Sequence, residues 1–441
     1  MAKITSIHAA GKKKDKPKDD AGMGEYKKKL FLHRAGLWGK LLIGAAVVLC
    51  ILIALRIWYA NKTFTSYKTV TSSEHTATVD TSYAEYAGNI LKYSRDGVSC
   101  INKNNVALWS QTYNMQSPIY DISDDEVIVA DQGGNEAYVF DTDGLQTQIS
   151  TLMPIYQVSI SSGGVSAVLL DDGSSSYIYI YDSGGTELAE IKCSIDETGQ
   201  PLSMAISPDG AKLAVSYLQV QGGEADSCLV FYNFGSVGSN YVDKIVSSKV
   251  YSGEIIPRIE YMTDSLCVAV SDSGLIYFEG DEIPEEAAVV GIDAEIQSVF
   301  FGNGRVGVIL EGEDAYTVSA EDTAGETEDD AGDEETDEED TEVEAAADTD
   351  TEEIPQYTIM IFDSNGRQIR TIDTDLDYEN AKFSGRTIIL YNNDECEIYS
   401  GGGVLRYAGA FESAISCIYK TGGIQKYVVV YADSTDTVKL Q

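Results

Sequence analysis

Histidine is nearly missing from this chain. Its 441 residues include three, His8, His33 and His75, all outside the repeating region that makes up most of the length. Without imidazole, that region has no base for a Ser-His-Asp or Cys-His nucleophile and no nitrogen ligand for zinc, copper or iron. None of the seven cysteines forms a CxxC pair, which removes zinc ribbons and thioredoxin-like redox motifs. Neither GxGxxG nor GxxxxGK[ST] precedes a helical pattern, so nucleotide binding has no motif to rest on. Basic residues are scarce as well. There are 31 Lys and Arg against 71 Asp and Glu, a net charge of −40, and such a surface repels the phosphates of a nucleic acid. Of three tryptophans only Trp109 follows residue 60, which disfavours a strong carbohydrate platform.

Long apolar runs are also lacking, with one exception. Leu41 to Leu55, LLIGAAVVLCILIAL, is slightly short for a bilayer, which takes about 20 apolar residues. Extending it through Arg56 to Ala60 supplies the length, with Arg56 snorkelling to the interface. Trp38 on one side and Trp58 with Tyr59 on the other read as interfacial aromatic belts. Residues 1–40 carry eleven Lys and Arg against four Asp and Glu, whereas residues 61–441 carry nineteen against sixty-seven. The positive-inside rule then places the N-terminus in the cytoplasm and the acidic body outside. A cleaved signal peptide fits poorly, because its n-region would run to nearly forty residues and its exit reads Trp-Tyr-Ala. The expected organisation is a disordered basic tail (1–36), a signal-anchor helix (37–60) held by membrane lipid, a connector (61–88) and an extracytoplasmic body (89–441).

Within that body one pattern recurs. A short apolar run ending in Ser leads to a Gly or Asp turn, then to β-branched residues and tyrosines, then to a further Asp/Gly turn and strand. Clear copies start at Val158 and Ser203, with weaker ones at Ile119, Ile259, Val299, Asn380 and Ile415 and an incomplete copy at Ile90. Units of about 35 to 45 residues with three or four strands each predict an all-β β-propeller, a ring that removes exposed sheet edges. Counting the incomplete terminal pieces as one blade gives seven, the number favoured here; counting them separately gives eight. Between Glu311 and Glu353 lie twenty-two acidic residues and no Lys or Arg, an insertion (311–353) expected to be a disordered loop from one blade. The six cysteines beyond the apolar run sit in strand-like segments; their even number permits disulfides in an oxidising compartment, and buried thiols that pack as small hydrophobes are the favoured reading.

Three stretches carry a resemblance. Ser207-Pro208-Asp209-Gly210-Ala211-Lys212-Leu213-Ala214-Val215 resembles the SPDG signature of the WD40-like repeats of TolB-type proteins, in which Pro-Asp-Gly turns between the two innermost strands. Ala107-Leu108-Trp109 resembles the outer-strand tryptophan motif of pyrroloquinoline-quinone-type repeats. Basic tail, anchor and Tyr-rich repeats together resemble uncharacterised single-pass propeller proteins of clostridia. A quinone enzyme would need the Trp motif in most blades, so the resemblance implies a fold and no cofactor.

The sequence nominates no catalytic residue, cofactor or metal ligand. Asp141-Thr142-Asp143-Gly144 and Asp363-Ser364-Asn365-Gly366 look like the opening of a calcium loop but lack its closing Glu, and are read as turns in which Asp bonds its own backbone. The expected role is a non-enzymatic scaffold for an extracytoplasmic protein partner or for envelope assembly. The alternatives are glycan or peptide binding through the tyrosines and hydrolysis by paired carboxylates.

Overall fold

The computed structural model describes residues 46–54, 56–58, 61–75, 80–173, 175–195, 198–221, 223–312 and 354–441. They fall into two compact units, 1–62 and 63–441. In the first, residues 46–54 and 56–58 are helical. Among the described residues no helix is long and apolar enough to cross a membrane. Of the residues assigned to anchoring, Trp58 is helical and exposed. Trp38, Leu41, Leu55 and Tyr59 lie outside the described residues, as do the basic tail and residues 313–353 of the acidic insertion.

The second unit consists of eight four-stranded antiparallel sheets. Blades 1 to 7 follow in chain order: residues 82–112, 118–150, 155–193, 200–251, 258–291, 296–374 and 380–410. Blade 8 is composite. Its three inner strands come from residues 415–440, and its outermost strand is Tyr67–Glu74, paired antiparallel with Ser434–Leu440. Eight blades correct the expected seven. The C-terminal copy does lack a fourth strand, but blade 1 does not share in completing it. The segment 61–88 supplies two strands, Tyr67–Glu74 for blade 8 and Ser82–Tyr86 for blade 1, and the Thr/Ser-rich composition of the first hid it.

Why these segments form blades is visible in the second strand of each sheet. In Glu126–Asp131 the side chains of Val127 and Val129 pack towards blade 1, whereas Ile128 and Ala130 pack towards blade 3. Alternation sends successive residues to opposite faces. Both faces of a blade are covered by neighbours, so an unbroken apolar run is required. Leu266–Ser271 is buried at all six positions for this reason. Each of the eight hydrophobic clusters occupies one interface between adjacent blades, including that between blades 8 and 1, where Ile90 and Ile101 meet Cys417, Tyr419, Val428 and Val430.

Turns are set by local chemistry. Asn303 and Gly304 have φ of 57° and 70°, the pair of left-handed residues that a two-residue hairpin demands. Between third and fourth strands the first turn residue caps the turn. Asp141 Oδ1 accepts from the amides of Asp143 and Gly144, Asp182 Oδ1 from Gly184 and Thr186, and Asp363 Oδ1 from Asn365 and Arg367. Thus the DTDG and DSNG stretches are turns. In blades 1 to 7 the outermost strand then opens with a β-bulge at one repeated position, for example at Leu108 between Ala107 and Trp109 and at Leu188. Blade 8 places its bulge at Val70 instead.

Both quoted motifs occupy the predicted strands. Ser207 to Gly210 links the two innermost strands of blade 4, with the Gly210 amide donating to the Ser207 carbonyl at 2.8 Å. Trp109 lies on the outermost strand of blade 1 and stacks on Phe140 of blade 2, centroids 4.8 Å apart. The six cysteines of this unit, Cys100, Cys193, Cys228, Cys267, Cys396 and Cys417, are buried and free.

Candidate functional site

From blade 2 to blade 7, and again between blades 8 and 1, the first strands of successive blades adjoin one another. Each is hydrogen-bonded along one edge only, so its other edge needs partners from elsewhere. Side chains of the preceding blade provide them. Asp121 Oδ2 accepts from the Ile160 amide at 2.8 Å. The Gln157 amide both donates to the Met204 carbonyl and accepts from its N–H, at 3.0 and 3.1 Å. Ser159 Oγ and Ser203 Oγ accept from the Ile206 and Ile259 amides, each at 3.2 Å, and Ser384 Oγ accepts from the Lys420 amide at 2.8 Å. A belt of polar side chains therefore stitches the innermost strands from blade 2 to blade 5 and again from blade 7 to blade 8.

Inside the belt, the innermost strands Pro118–Ser123, Ile155–Ile160, Gln200–Ile206 and Arg258–Thr263 enclose a cavity of about 500 Å³. Asp121, Arg258 and Glu260 are its charged groups. Arg258 lies 3.7 Å from the Glu260 carboxylate and reaches across to blade 6, where its guanidinium covers Phe301 at 4.9 Å. The Glu260 carboxyl is pushed up to about 7, first by burial and then by the charge of Asp121, with Arg258 opposing both. Water touches Glu260, whose side chain is 40 % exposed. The poorly polarisable strands around it still disfavour the anion. Burial likewise raises Asp121, against the hydrogen bonds it accepts from Ile160, Ser159 and Ile122.

On the other side of the channel Lys382 Nζ donates to Cys417 Sγ at 3.5 Å, and Glu85 accepts from Ser384 Oγ at 2.8 Å. Burial raises the Glu85 carboxyl, opposed by Ser384 and Lys382.

Two carboxylates do share the central cavity, as carboxylate hydrolysis requires. The oxygens of Asp121, however, accept from the Ile160 and Ile122 amides, which suits a strand clamp better than a proton carrier. The tyrosines mostly pack between blades: Tyr86, Tyr217, Tyr232, Tyr277, Tyr407 and Tyr419 are among the largest fully buried side chains. Among the described residues no group of three or more His, Cys, Asp or Glu could hold a metal ion.

Sequence reasoning did not find Asp121, Arg258 or Glu260. Their signal was a charged residue on the first strand of a repeat, at positions where other repeats carry Ser or Gln. Only the register of the innermost strands turns that alternation into a channel lining.

Eight four-stranded sheets closed in a ring define the protein as a β-propeller. The chain belongs to a family of unknown function (DUF5711), which it matches over residues 60–349 and 336–440. No curated protein matches it in sequence. Among solved structures it is similar to BamB from Moraxella catarrhalis, with 13% identity, 85% of this chain and 100% of that chain covered, and a TM-score of 0.44. It is also similar to a eukaryotic initiation factor, with 11% identity, 84% of each chain covered and a TM-score of 0.46. The WD40 domain of Neurospora crassa Pan2 shares 11% identity over 73% of this chain and 87% of its own, with a TM-score of 0.40.

Proposed function

We propose that this protein is a membrane-anchored, extracytoplasmic propeller that works without catalysis, as a scaffold for another protein. One observation carries the reading. Asp121, one of the two carboxylates in the cavity, is engaged in holding the innermost strands together, whereas apolar side chains are left uncovered on connections of the ring, a group of them at one end. Leu152, between blades 2 and 3, is fully exposed, and Ile195, between blades 3 and 4, is 59 % exposed. Val220, near the tip of the long hairpin of blade 4, is 68 % exposed, and the neighbouring Gln219 donates to the Thr198 carbonyl in the connection that carries Ile195. Loops on a rigid ring are the natural seat of recognition, and uncovered apolar side chains on them favour contact with a partner protein.

Anchoring rests on the apolar run 41–55 and its basic flank. Carbonate extraction of membranes should leave the protein in the pellet, and protease added outside intact cells should digest the propeller and spare the tail. For the scaffold role, the full chain is crosslinked in membranes and purified beside Leu152→Asp/Val220→Asp and a form lacking residues 325–353. A partner retained by the wild type and lost from the Leu152/Val220 variant supports the reading. The same proteins recovered with every form would reject it.

A further inference from the structure

Positive charge converges at few places on the acidic propeller, and one of them is a groove. Only nineteen Lys and Arg follow residue 60, yet Arg305, Arg370 and Arg386 line a single open groove of about 420 Å³ between blades 6 and 7, together with Gly401 and Gly402. Arg305 opens the second strand of blade 6, Arg370 is the third residue of that blade's outermost strand, and Arg386 lies in the first turn of blade 7. Gly401 and Gly402 belong to the turn before the outermost strand of blade 7. Antiparallel alternation brings all of these to one end of the ring.

In a chain so rich in carboxylates, each arginine would be expected to find one. Among the described residues, none of the three guanidinium groups lies within 4.0 Å of a carboxylate. Arg305 is half-buried and donates to the Gly401 carbonyl at 2.6 Å, which fixes its fork at the groove wall, while Arg370 and Arg386 are exposed. Gly401 is required for this approach. A Cβ there would sit 2.5 Å from the Arg386 carbonyl oxygen and 3.2 Å from the Arg305 guanidinium. Three planar donors around one opening match a multiply charged oxyanion, since guanidinium groups bind phosphate oxygens in parallel pairs. One carboxylate would leave most of that charge uncompensated.

We infer that the groove of Arg305, Arg370 and Arg386 is a binding site for a phosphate group. Its source is a soluble phosphate ester or a lipid headgroup. The lipid source has a place in the test because Thr63, where the chain enters the propeller, donates to the Leu405 carbonyl at that same end. The site does not depend on the scaffold reading, so either can fail alone.

The test uses the full chain in neutral detergent. Line broadening in ³¹P spectra is followed for inorganic phosphate, for glycerol phosphate, and for phosphatidylglycerol against phosphatidylcholine in mixed micelles. The wild type should broaden at least one anionic probe saturably and leave phosphatidylcholine unchanged. Arg370→Ala and Arg386→Ala should each weaken binding by about tenfold, the usual weight of one charged hydrogen-bonding partner. Arg370→Lys/Arg386→Lys keeps the charge but loses the fork, and should bind weakly and in a salt-sensitive way. Melting in phosphate-free buffer confirms that each variant is folded. Saturable binding of the soluble probes alone assigns a free phosphate ester; binding of phosphatidylglycerol alone assigns a headgroup. No saturable broadening with any probe, or equal broadening by wild type and the folded alanine variants, would overturn the inference.

Discussion

At the scale of single residues, the least comfortable group is Glu260. Its carboxyl is raised to about 7 in the folded ring, above an ordinary glutamate near 4.3. The folded state therefore holds a proton that the unfolded chain has released, so stability falls as pH rises between about 4.5 and 7 and levels off above. Glu260→Gln should flatten that part of the profile and unfold at higher denaturant than the wild type at pH 8, with the gap closing at pH 5. Urea titrations at the two pH values would show it. A different dependence sits in blade 4, where the Lys212 side chain is 2 % exposed and its ammonium lies 3.1 Å from Asp209. Asp209→Ala strands a buried cation and should cost about 2–3 kcal/mol. Adding Lys212→Met should recover most of it, because a buried apolar chain needs no counter-ion.

At the scale of elements, packing between paired strands leaves little slack. A Cβ at Gly307 would lie 2.2 Å from the Phe300 ring on the neighbouring strand, so Gly307→Ala should cost about 1–3 kcal/mol by overpacking. Phe300→Leu in the same chain should relieve part of the loss, as thermal melts of the single and double variants would reveal. Repeats were legible wherever a strand had both faces covered, since runs such as Val127 to Ala130 or Cys267 to Val270 have no other use. Strand Tyr67–Glu74 was not legible. Five of its eight side chains are Thr, Ser or Lys and most are exposed, because an outermost strand needs only backbone pairing from its neighbour. The blade count miscarried for that reason. The channel and the arginine groove escaped for another: their residues come from separate strands and turns, with 139 positions between Asp121 and Glu260, and no local pattern marks them.

For the molecule as a whole, charge is the dominant long-range term. Nineteen Lys and Arg against sixty-seven Asp and Glu after residue 60 give that region a net charge of −48, which repels itself, and salt screens that repulsion over a Debye length of about 8 Å at physiological strength. Raising sodium chloride from 50 to 500 mM should increase the melting temperature. Removing residues 325–353 should make that rise shallower, and scanning calorimetry on both forms would measure the difference. Closure of the ring sets a timetable as well as a shape. The outermost strand of blade 8 is made early, at Tyr67–Glu74, but its partner is Ser434–Leu440. Some 360 residues are synthesised between the two, and at ribosomal speed the first waits roughly 20–70 s for the second. Until then blade 8 has no sheet to hold this strand and the ring stays open. A nascent chain with that schedule can complete seven blades one after another, yet becomes a closed body only after almost all of it has been made.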